Sequence, residues 1–427
     1  MKRIFFFIFN GLILFATASA ANAQSIFQNI EDPRQLEQIK QGRKIFNRDW
    51  QAFPGINPNG DGLGPVFNRV SCSGCHFQAG RGRPPESPDE PFTSMVLRLG
   101  FTDELGSRAH IAYGEQLNDR SLPNIPAEGR PSLSFRTING QYVDGERYTL
   151  RMPQYDVKDL NFGQLGWAIQ FSGRVAQPLQ GIGFLEAIPQ EVLNSWADPN
   201  DLDGDGVSGR IPMVKDQSGN MSPARFGWKA AQVSLFSQTA QALHQDMGLT
   251  SSLHLEQNCM WEQIACRAAP KETGPEVNAA QLDQLVSFQR ALSPRRQENR
   301  NELGRYLFNE IGCDRCHIPT VQIPDDTWPT YLAGREIHPY TDILLHDMGE
   351  GLSDGLFQGD ASPSEWRTAP LWGLSQRQPL RLLHDGRARS VAEAILWHDG
   401  EARLSKEAFR HLQKQEREAL TDFVSGL

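Results

Sequence analysis

The chain has 427 residues and a formal net charge of −9. This length exceeds that of one typical domain and is sufficient for two or more. A net acidic chain without a long basic tract argues against nucleic acid as a partner.

The N-terminal residues are typical of an export signal. Lys2 and Arg3 precede an apolar run over 4–15, and a small-x-small cleavage site ends at Ala23. The alternative is a membrane anchor, but this run is shorter than the roughly 20 residues that span a bilayer. No second long apolar run follows it. The sequence therefore predicts a signal peptide over 1–23, cleavage after Ala23, and a periplasmic protein without a transmembrane segment in its mature chain.

Two pairs of similar segments suggest an internal repeat. Residues 42–46 and 304–308 form the first pair, and both begin Gly-Arg. The second pair consists of two apolar stripes, one near the end of each half. The stripes are Leu285, Phe288 and Leu292, and, offset by 135 positions, Leu420, Phe423 and Leu427. Both stripes have the i, i+3, i+7 spacing of a helix. Each half is therefore predicted to begin with one helix and to end with another that packs on it.

A Cys-x-x-Cys-His motif follows the first helix of each half, at Cys72–His76 and Cys313–His317. Both thiols can join one porphyrin and the adjacent histidine can bind its iron, so the motif is the signature of c-type haem attachment. The alternatives are a zinc site that collects both cysteine pairs and a thiol–disulfide centre. The adjacent histidines argue against zinc, and the lack of a βαβ setting argues against a thiol–disulfide centre. We predict two covalently bound haems, held by Cys72, Cys75 and His76 and by Cys313, Cys316 and His317.

This layout predicts a mainly α fold of two tandem cytochrome c-like domains, 24–292 and 302–427, joined by a polar linker over 293–301. The first domain is longer and carries insertions. Residues 131–152 alternate apolar and polar around Asn139-Gly140 and Asp144-Gly145, which predicts a small β-hairpin or meander. Residues 224–247 are predicted to be helical again.

The cysteines outside the motifs are Cys259 and Cys266. In an oxidising compartment a close pair without an adjacent histidine is more often a structural disulfide than two free thiols. We predict a Cys259–Cys266 disulfide.

An acidic loop over 198–210 contains Asp201, Asp203 and Asp205 followed by a glycine, as in the first half of a calcium loop. The acidic residue expected at the twelfth position is missing, and Asp198 or Asn200 are candidates to complete the shell. The sequence leaves calcium and a metal-free Asx-turn loop as alternatives. A weaker copy of this pattern consists of Asn57, Asn59 and Asp61.

A sixth iron ligand decides whether a haem carries electrons or has an open face for chemistry. Ser390 and Glu393 form a capping-box start for a helix. His398 lies on the apolar stripe of that helix, either as an iron ligand or as a core histidine bound to a carbonyl. His346 and Met348 form a second candidate pair.

Several strings in the chain resemble known families. Residues 383–387, Leu-His-Asp-Gly-Arg, followed by Glu393, resemble the second-domain signature of the bacterial di-haem cytochrome c peroxidases and their protein-oxidising relatives. Longer strings resemble the di-haem oxidoreductase family, also labelled thiol oxidoreductases: DGLGPVFN at 61–68, LHDMGEGL at 345–352, WRTAPLWG at 366–373 and ILWH at 395–398. The resemblance spans roughly residues 42–427.

The resemblance implies roles for particular residues. His398 occupies the place after His384 where the peroxidases have the methionine ligand of the second haem, which implies a His/His haem of lower potential. Gln116 and Glu128 lie in a segment similar to the one that supplies a glutamine and a glutamate beside the open iron, although their separation here is longer. A carboxylate there can take a proton from one peroxide oxygen and return it to the other.

Two departures from the peroxidases matter. Residues 77–109 contain no histidine to close the first haem, and residues 51–166 contain no tryptophan between the haems. We therefore expect a periplasmic di-haem oxidoreductase whose first haem reduces hydrogen peroxide. Its second haem would exchange electrons with a small cytochrome or copper protein. The alternatives are a pure electron carrier, with both irons six-coordinate, and an enzyme that oxidises a side chain or thiol of a partner protein.

Overall fold

The computed structural model describes residues 27–28, 30–56, 60–103, 106–294, 301–376 and 379–427. The predicted signal peptide, Asn57, Asn59 and residues 295–300 of the predicted linker lie outside these residues. Within them, no helix has the length and apolar character needed to cross a bilayer.

Helices occur in both halves of the chain. They are α1 (Pro33–Phe46), α2 (Cys72–Cys75), α3 (Ile182–Ala187), α4 (Gln190–Trp196), α5 (Leu235–Met247), α6 (Ile264–Arg267), α7 (Ala279–Ala291), α8 (Glu302–Glu310), α9 (Val391–Trp397), α10 (Arg403–His411) and α11 (Lys414–Ser425).

The strands are mostly short. They are β1 (Val66–Phe67), β2 (Met95–Asp103), β3 (Gly106–Arg108), β4 (Gln116–Leu117), β5 (Arg120–Ser121), β6 (Arg130–Gln141), β7 (Arg147–Lys158), β8 (Gln170–Val175), β9 (Met213–Lys215), β10 (Met221–Pro223), β11 (Val321–Gln322), β12 (Glu336–Ile337), β13 (Leu345–Asp347) and β14 (Glu365–Arg367).

The prediction of a mainly α fold is wrong, because only 30% of the structure is helical and 20% is strand, spread over several small sheets. The largest sheet lies in the first half, where β2 pairs with β3, β4 and β8. β8 lies far from β2 along the chain, so the pairing of these two strands leaves no local hairpin signal in the sequence. The division into domains 24–292 and 302–427 stays a prediction.

The predicted helix pairs are formed in both halves, since α1 packs on α7 and α8 packs on α11. A Cβ at Gly42 would overlap the carbonyl oxygen of Gln284, and a Cβ at Gly304 would overlap that of Ala419. Glycine thus permits the same close approach of two helices in each pair. Phe288 on α7 and Phe423 on α11 are 3% and 2% exposed, as the apolar stripes predicted.

The predicted hairpin is formed by β6 and β7 and is longer than expected. Its strands pair from Arg130 with Lys158 to Gln141 with Arg147, and the turn is at Asp144-Gly145. Asn139-Gly140, predicted as another turn, lies inside β6. A Cβ at Gly140 would collide with the ring of Tyr148 on the paired strand. Glycine at this position therefore accommodates an aromatic ring rather than a turn.

The predicted helix over 224–247 is confirmed only from Leu235 onward. Ser234 caps α5 by accepting a hydrogen bond from the backbone N–H of Ser237. Residues 226–232 instead form a bridged loop, in which Phe226 pairs with Gln232. The capping residue Ser234 lies inside the stretch 224–247, so the helix begins there and not at residue 224.

Each half contributes a segment to the core of the other. The hairpin tip reaches the second half, where Tyr142 packs on Phe409 with ring centroids 6.0 Å apart and Arg417 binds Asp144 at 2.8 Å. In return, Val321 of β11 is buried in the core of the first half. These exchanges hold the two haem motifs in one interlocked structure.

Candidate haem sites

The second motif follows α8 as a tight turn, and its histidine is oriented by the backbone. His317 Nδ1 lies 2.9 Å from the carbonyl oxygen of Tyr340, and the ring of Phe308 lies 6.4 Å from the imidazole. Burial lowers the pKa of His317 to about 4, against the opposing effect of that carbonyl. The ring is therefore neutral, with Nε2 available to a metal.

His398 lies directly after α9 and lines the same cavity as His317. The predicted cap is confirmed, since Ser390 accepts a hydrogen bond from the backbone N–H of Glu393 at 3.1 Å. His398 Nδ1 lies 2.6 Å from the carbonyl oxygen of Ala394, and burial lowers the pKa of the ring. Its Nε2 is thus available in the same way as that of His317.

The cavity that these histidines share has an empty volume of about 1400 Å³ and is lined largely by apolar groups. Cys313 and Cys316 lie in its wall. Two thiols and two neutral imidazoles around one apolar cavity fit a haem with two axial histidines.

His346 also lines this cavity, but both of its ring nitrogens contact carboxylates. Nδ1 lies 2.7 Å from Glu401 Oε2, and Nε2 lies 2.8 Å from Asp342 Oδ2. Burial lowers the pKa of His346, but Asp342 and Cys316 together raise it well above its ordinary value. The ring is a charged bridge between two acids, which favours His398 over His346 as an iron ligand. Met348, the other member of that candidate pair, lines the cavity too.

A stacked aromatic pair forms another part of the cavity wall. The rings of Trp366 and His384 lie 3.7 Å apart and nearly parallel. Arg174 and Lys229 each place a cation 4.6 Å from the indole centroid. Burial and the nearby cations lower the pKa of His384 well below its ordinary value, so this ring is neutral. Trp366 and His384 both lie in strings that resemble the known families, but nothing in the sequence indicates that their rings stack.

The first motif forms α2, and its histidine is oriented in the same way as His317. His76 Nδ1 lies 2.7 Å from the carbonyl oxygen of Gln177, and the ring of Phe46 lies 6.5 Å away. Burial lowers the pKa of His76, and the opposing influences are the backbone groups of Gln177 and Gly80. Cys75 lines a cavity with an empty volume of about 1440 Å³. These features fit a haem held by one axial histidine from this motif.

Gln116 and Glu128 lie in one buried polar network beside the first motif. The Gln116 side-chain amide donates to Asn68 Oδ1 at 3.0 Å and to Asp246 Oδ1 at 2.7 Å. Glu128 is fully buried and accepts hydrogen bonds from the backbone N–H of Asn118 at 2.5 Å and from Gln263 Nε2 at 2.7 Å. Burial raises the pKa of Glu128 to about 8, although these hydrogen bonds oppose the change. Glu128 can therefore gain or lose a proton near neutral pH.

Gln263 reaches Glu128 from the loop between Cys259 and Cys266. The structure joins these cysteines by a disulfide with an S–S distance of 1.96 Å. Gln263 is buried and also donates to the carbonyl oxygen of Ala112 at 3.0 Å. The sequence predicted the disulfide pair but not that its loop contacts the candidate catalytic glutamate.

The acidic loop brings together three of its carboxylates. Asp198, Asp201 and Asp203 each have an oxygen within 4.8 Å of the others. The Asp205 carboxylate is not part of this group and forms an ion pair with Arg315 of the second motif, at 3.5 Å, while its backbone N–H donates to Asp203 Oδ1 at 3.1 Å. Asp61, from the weaker copy, accepts a hydrogen bond from the backbone N–H of Gly55 at 2.7 Å.

Trp228 lies where the second cavity meets a smaller cleft. Its Nε1 donates to the carbonyl oxygen of Val175 at 2.9 Å, and the guanidinium of Arg81 lies 5.1 Å from its ring centroid. Arg81 lines the second cavity, the cleft and the cavity at Cys75. A tryptophan therefore lies at the edge of the second site, and it comes from outside the segment in which the sequence comparison sought one.

Two motifs with half-buried, backbone-oriented histidines and with cysteines that line large cavities are the features of a di-haem redox protein. Residues 132–427 match the family described as "Di-haem oxidoreductase, putative peroxidase". This chain belongs to that family, which confirms the resemblance seen in its strings and implies two haems. The match includes the second motif, while Cys72–His76 precedes it.

Other comparisons add little. No curated protein matches the chain. Hydrazine synthase from Kuenenia stuttgartiensis, solved under xenon pressure, aligns over 100% of both chains with 13% identity and a TM-score of 0.40.

Proposed function

We propose that this protein is an exported c-type oxidoreductase that reduces hydrogen peroxide at its first haem with electrons received through its second. The observation that carries this proposal is the difference between the two motifs. His317 shares its cavity with His398, whereas no histidine among the described residues lines the cavity at Cys75. An iron with two histidine ligands transfers electrons, while an iron with an open face can bind a small oxidant.

The motif residues would hold the haems covalently, through Cys72 and Cys75 in the first site and Cys313 and Cys316 in the second. When bound, the haems supply one-electron redox chemistry and a binding place for peroxide. The backbone carbonyls at His76, His317 and His398 fix Nδ1, so that Nε2 of each ring is directed away from its own backbone bond.

The second haem is the proposed entry point for electrons from a small cytochrome or copper protein. Two apolar side chains on α8, just ahead of the second motif, support this choice. Leu303 and Tyr306 are 49% and 59% exposed, and exposed apolar groups beside a redox site offer a contact for a small partner. Trp228 lines the second cavity, and Arg81 contacts its ring and lines both cavities, which supports transfer from the second haem to the first.

Peroxide reduction needs protons as well as electrons. The network of Gln116 and Glu128 supports their supply at the first haem, because a carboxyl with a pKa of about 8 gives and accepts protons near neutral pH. The surrounding side chains are buried, so bulk water does not compete for the transferred proton.

Export to the periplasm is supported by the signal-like residues 1–23 and by the disulfide between Cys259 and Cys266, a bond that persists in oxidising compartments. We further propose that calcium binds the loop oxygens of Asp198, Asp201 and Asp203. Asp205 of the same loop contacts Arg315, so the metal would stabilise a segment attached to the second motif. Calorimetric titration with calcium, compared with Asp201→Asn, tests this part.

The central test is peroxide-dependent oxidation of a reduced small cytochrome, measured for wild type, His76→Ala and Glu128→Gln. Glu128→Gln keeps the size of the side chain but removes its titration, so turnover should fall by about 10²–10⁴ with haem content unchanged. A wild type that exchanges electrons rapidly but does not react with peroxide would instead identify an electron carrier. Undiminished activity in Glu128→Gln would support the proposal of a peroxidase but reject the role of Glu128.

A further inference from the structure

Gln177, which follows β8, contacts both halves of the protein through different atoms. Its backbone carbonyl oxygen lies 2.7 Å from His76 Nδ1, the contact that orients the histidine of the first motif. Its side-chain oxygen accepts a hydrogen bond from Arg367 Nη2 at 3.0 Å. Arg367 belongs to β14 and lines the second cavity. One residue therefore connects the histidine of the first site to the wall of the second.

Arg367 is a buried cation that has no carboxylate partner among the described residues. Its side chain donates to the carbonyl oxygens of Gly227 at 3.0 Å and of Thr368 at 3.4 Å, and to Gln177. A guanidinium has more N–H groups than these acceptors use, so donors remain for another group. Burial lowers the pKa of Arg367 to about 10, and Asp342 opposes this effect. Because a buried charge is unfavourable without a counter-ion, Arg367 indicates an anion in the cavity.

The Gln177 amide also has a group without a partner. Its Nε2 is buried and has no hydrogen-bond partner within the described part of the chain. Gln177 and Arg367 both line the small cleft that adjoins the second cavity. Buried polar groups are normally hydrogen-bonded, so this amide and this guanidinium point to a shared acceptor. A carboxylate suits them, since its two oxygens can accept from both groups at once.

The haem expected in the second cavity carries carboxylates on its propionate side chains. The cavity wall is otherwise largely apolar, so a propionate inside it requires a cation. Lys406, another cation of the wall, already pairs with Asp399 at 2.8 Å. Arg367 is therefore a suitable partner for a propionate, although its sequence gave no sign of this role.

We propose that Arg367 and the Gln177 amide bind a propionate of the second haem, and that this contact, continued through Gln177 to His76, is the path for electrons between the haems. This inference rests on the proposed function, in which the second haem reduces the first. One electron leaves the ferrous second iron and enters the ferric first iron, and no atom is transferred. Hydrogen bonds to a metal ligand orient it and tune the metal, which is the role of the Gln177 carbonyl at His76.

The first part of the test measures the reduction potential of the second haem by redox titration of the holoprotein. Arg367→Gln removes the cation, so the negative charge of the propionate favours ferric iron and the potential should fall. Arg367→Lys keeps the positive charge and should recover most of this change. A purely structural role of Arg367 would not produce a potential that follows the charge.

Arg225→Gln is the matched control for the loss of an arginine. Arg225 also binds a backbone carbonyl oxygen, that of Ile188 at 2.8 Å, and a glutamine oxygen, Gln190 Oε1 at 3.1 Å. It does not line the second cavity, so its replacement should leave the potential unchanged. An unchanged potential in Arg367→Gln, or an equal fall in Arg225→Gln, would reject the propionate site.

The second part measures electron transfer between the haems after rapid reduction of the second haem by pulse radiolysis. Gln177→Leu removes the contact with Arg367 but keeps the backbone carbonyl that orients His76. The rate should fall several-fold, while the spectrum of the first haem stays the same. Gln180→Leu is the control, because Gln180 lines the same cleft but its Nε2 donates to the carbonyl oxygen of Gln78 at 3.1 Å. A wild-type rate in Gln177→Leu, or equal slowing in Gln180→Leu, would reject the path.

Should Arg367→Gln fail to load haem, Gln177→Glu places a competing carboxylate beside Arg367 and should lower the potential instead. An unchanged potential in that variant would reject the propionate site. Neither measurement uses peroxide. A wild type that passes electrons between its haems but does not reduce peroxide would therefore reject the proposed function and support this inference. Retained peroxide turnover, with wild-type potentials and rates in every variant, would reject this inference alone.

Discussion

His317 and His398 line one cavity, and each directs Nδ1 at a backbone carbonyl oxygen, at 2.9 and 2.6 Å. His346 lines the same cavity but has carboxylates on both nitrogens. A ring with a free Nε2 can bind iron. A ring held as an imidazolium between two acids cannot bind iron without losing its contact with one of these acids. The hydrogen-bond partners therefore distinguish three histidines that the sequence alone could not rank fully.

The first prediction concerns the axial ligand of the second haem. His398→Ala should convert the low-spin signal of that haem to high spin, and His398→Met should keep low spin and raise its potential, because thioether sulfur favours ferrous iron more than imidazole does. Electron paramagnetic resonance and a redox titration measure both effects.

His411→Ala is the matched control, since His411 also has Nδ1 near the carbonyl oxygen four residues earlier, at 2.7 Å, but is exposed. It should change neither signal. Unchanged low-spin signals in His398→Ala would place the ligand elsewhere.

The second prediction concerns covalent attachment. Cys72→Ser and Cys313→Ser should each disrupt attachment at one motif only, as measured by the mass of the intact chain and a pyridine haemochrome assay. Cys266→Ser, at a cysteine outside both motifs, should leave both haems in place. A protein that contains zinc and no haem would contradict the whole assignment.

The third prediction concerns stability and pH. Burial raises the pKa of Glu128 to about 8 in the folded protein, above its ordinary value of 4.5. Glu128 therefore favours the folded state fully below about pH 4.5, and this contribution is lost as the pH rises through 8. The difference in unfolding free energy between wild type and Glu128→Gln should change by a few kcal/mol between pH 5 and 9.

Urea unfolding at several pH values measures this difference. Glu115→Gln provides the control, because Glu115 is a more exposed glutamate of the same segment. A pH-independent difference for Glu128→Gln would contradict the raised pKa.

The fourth prediction concerns the disulfide. Replacing both Cys259 and Cys266 by serine should lower the unfolding free energy by about 2–3 kcal/mol, the loop-closure effect expected for a loop this short. It should also loosen Gln263, whose hydrogen bond to Glu128 affects the pKa of that carboxyl. Gln263→Leu should therefore change the pKa of Glu128 in the same way, without the full loss of stability. Peptide mapping without reduction first establishes that the bond exists, and free thiols at both positions would contradict it.

Local patterns in the sequence determined much of the framework. The helix pairs could be predicted because Phe288 and Phe423 each lie in an apolar stripe with helical spacing. The glycines of 42–46 and 304–308 indicate the helices that pack against those stripes. The cap at Ser390 was likewise local, since capping needs residues only three positions apart. The family could be recognised because its strings are contiguous.

Tertiary structure decided the features that depend on distant residues. The mixed fold arises because β2 pairs with β8 far along the chain, and Gly140 lies in a strand because Tyr148 packs against it. Asp246, Gln263 and Trp228 reach their sites from separate segments, so no spacing in the sequence reveals them. The sequence thus determined which residues can hold two haems, because the attachment motifs are local. Only the fold determined which acids, amides and aromatic rings surround them, because those contacts are between segments that no period or motif connects.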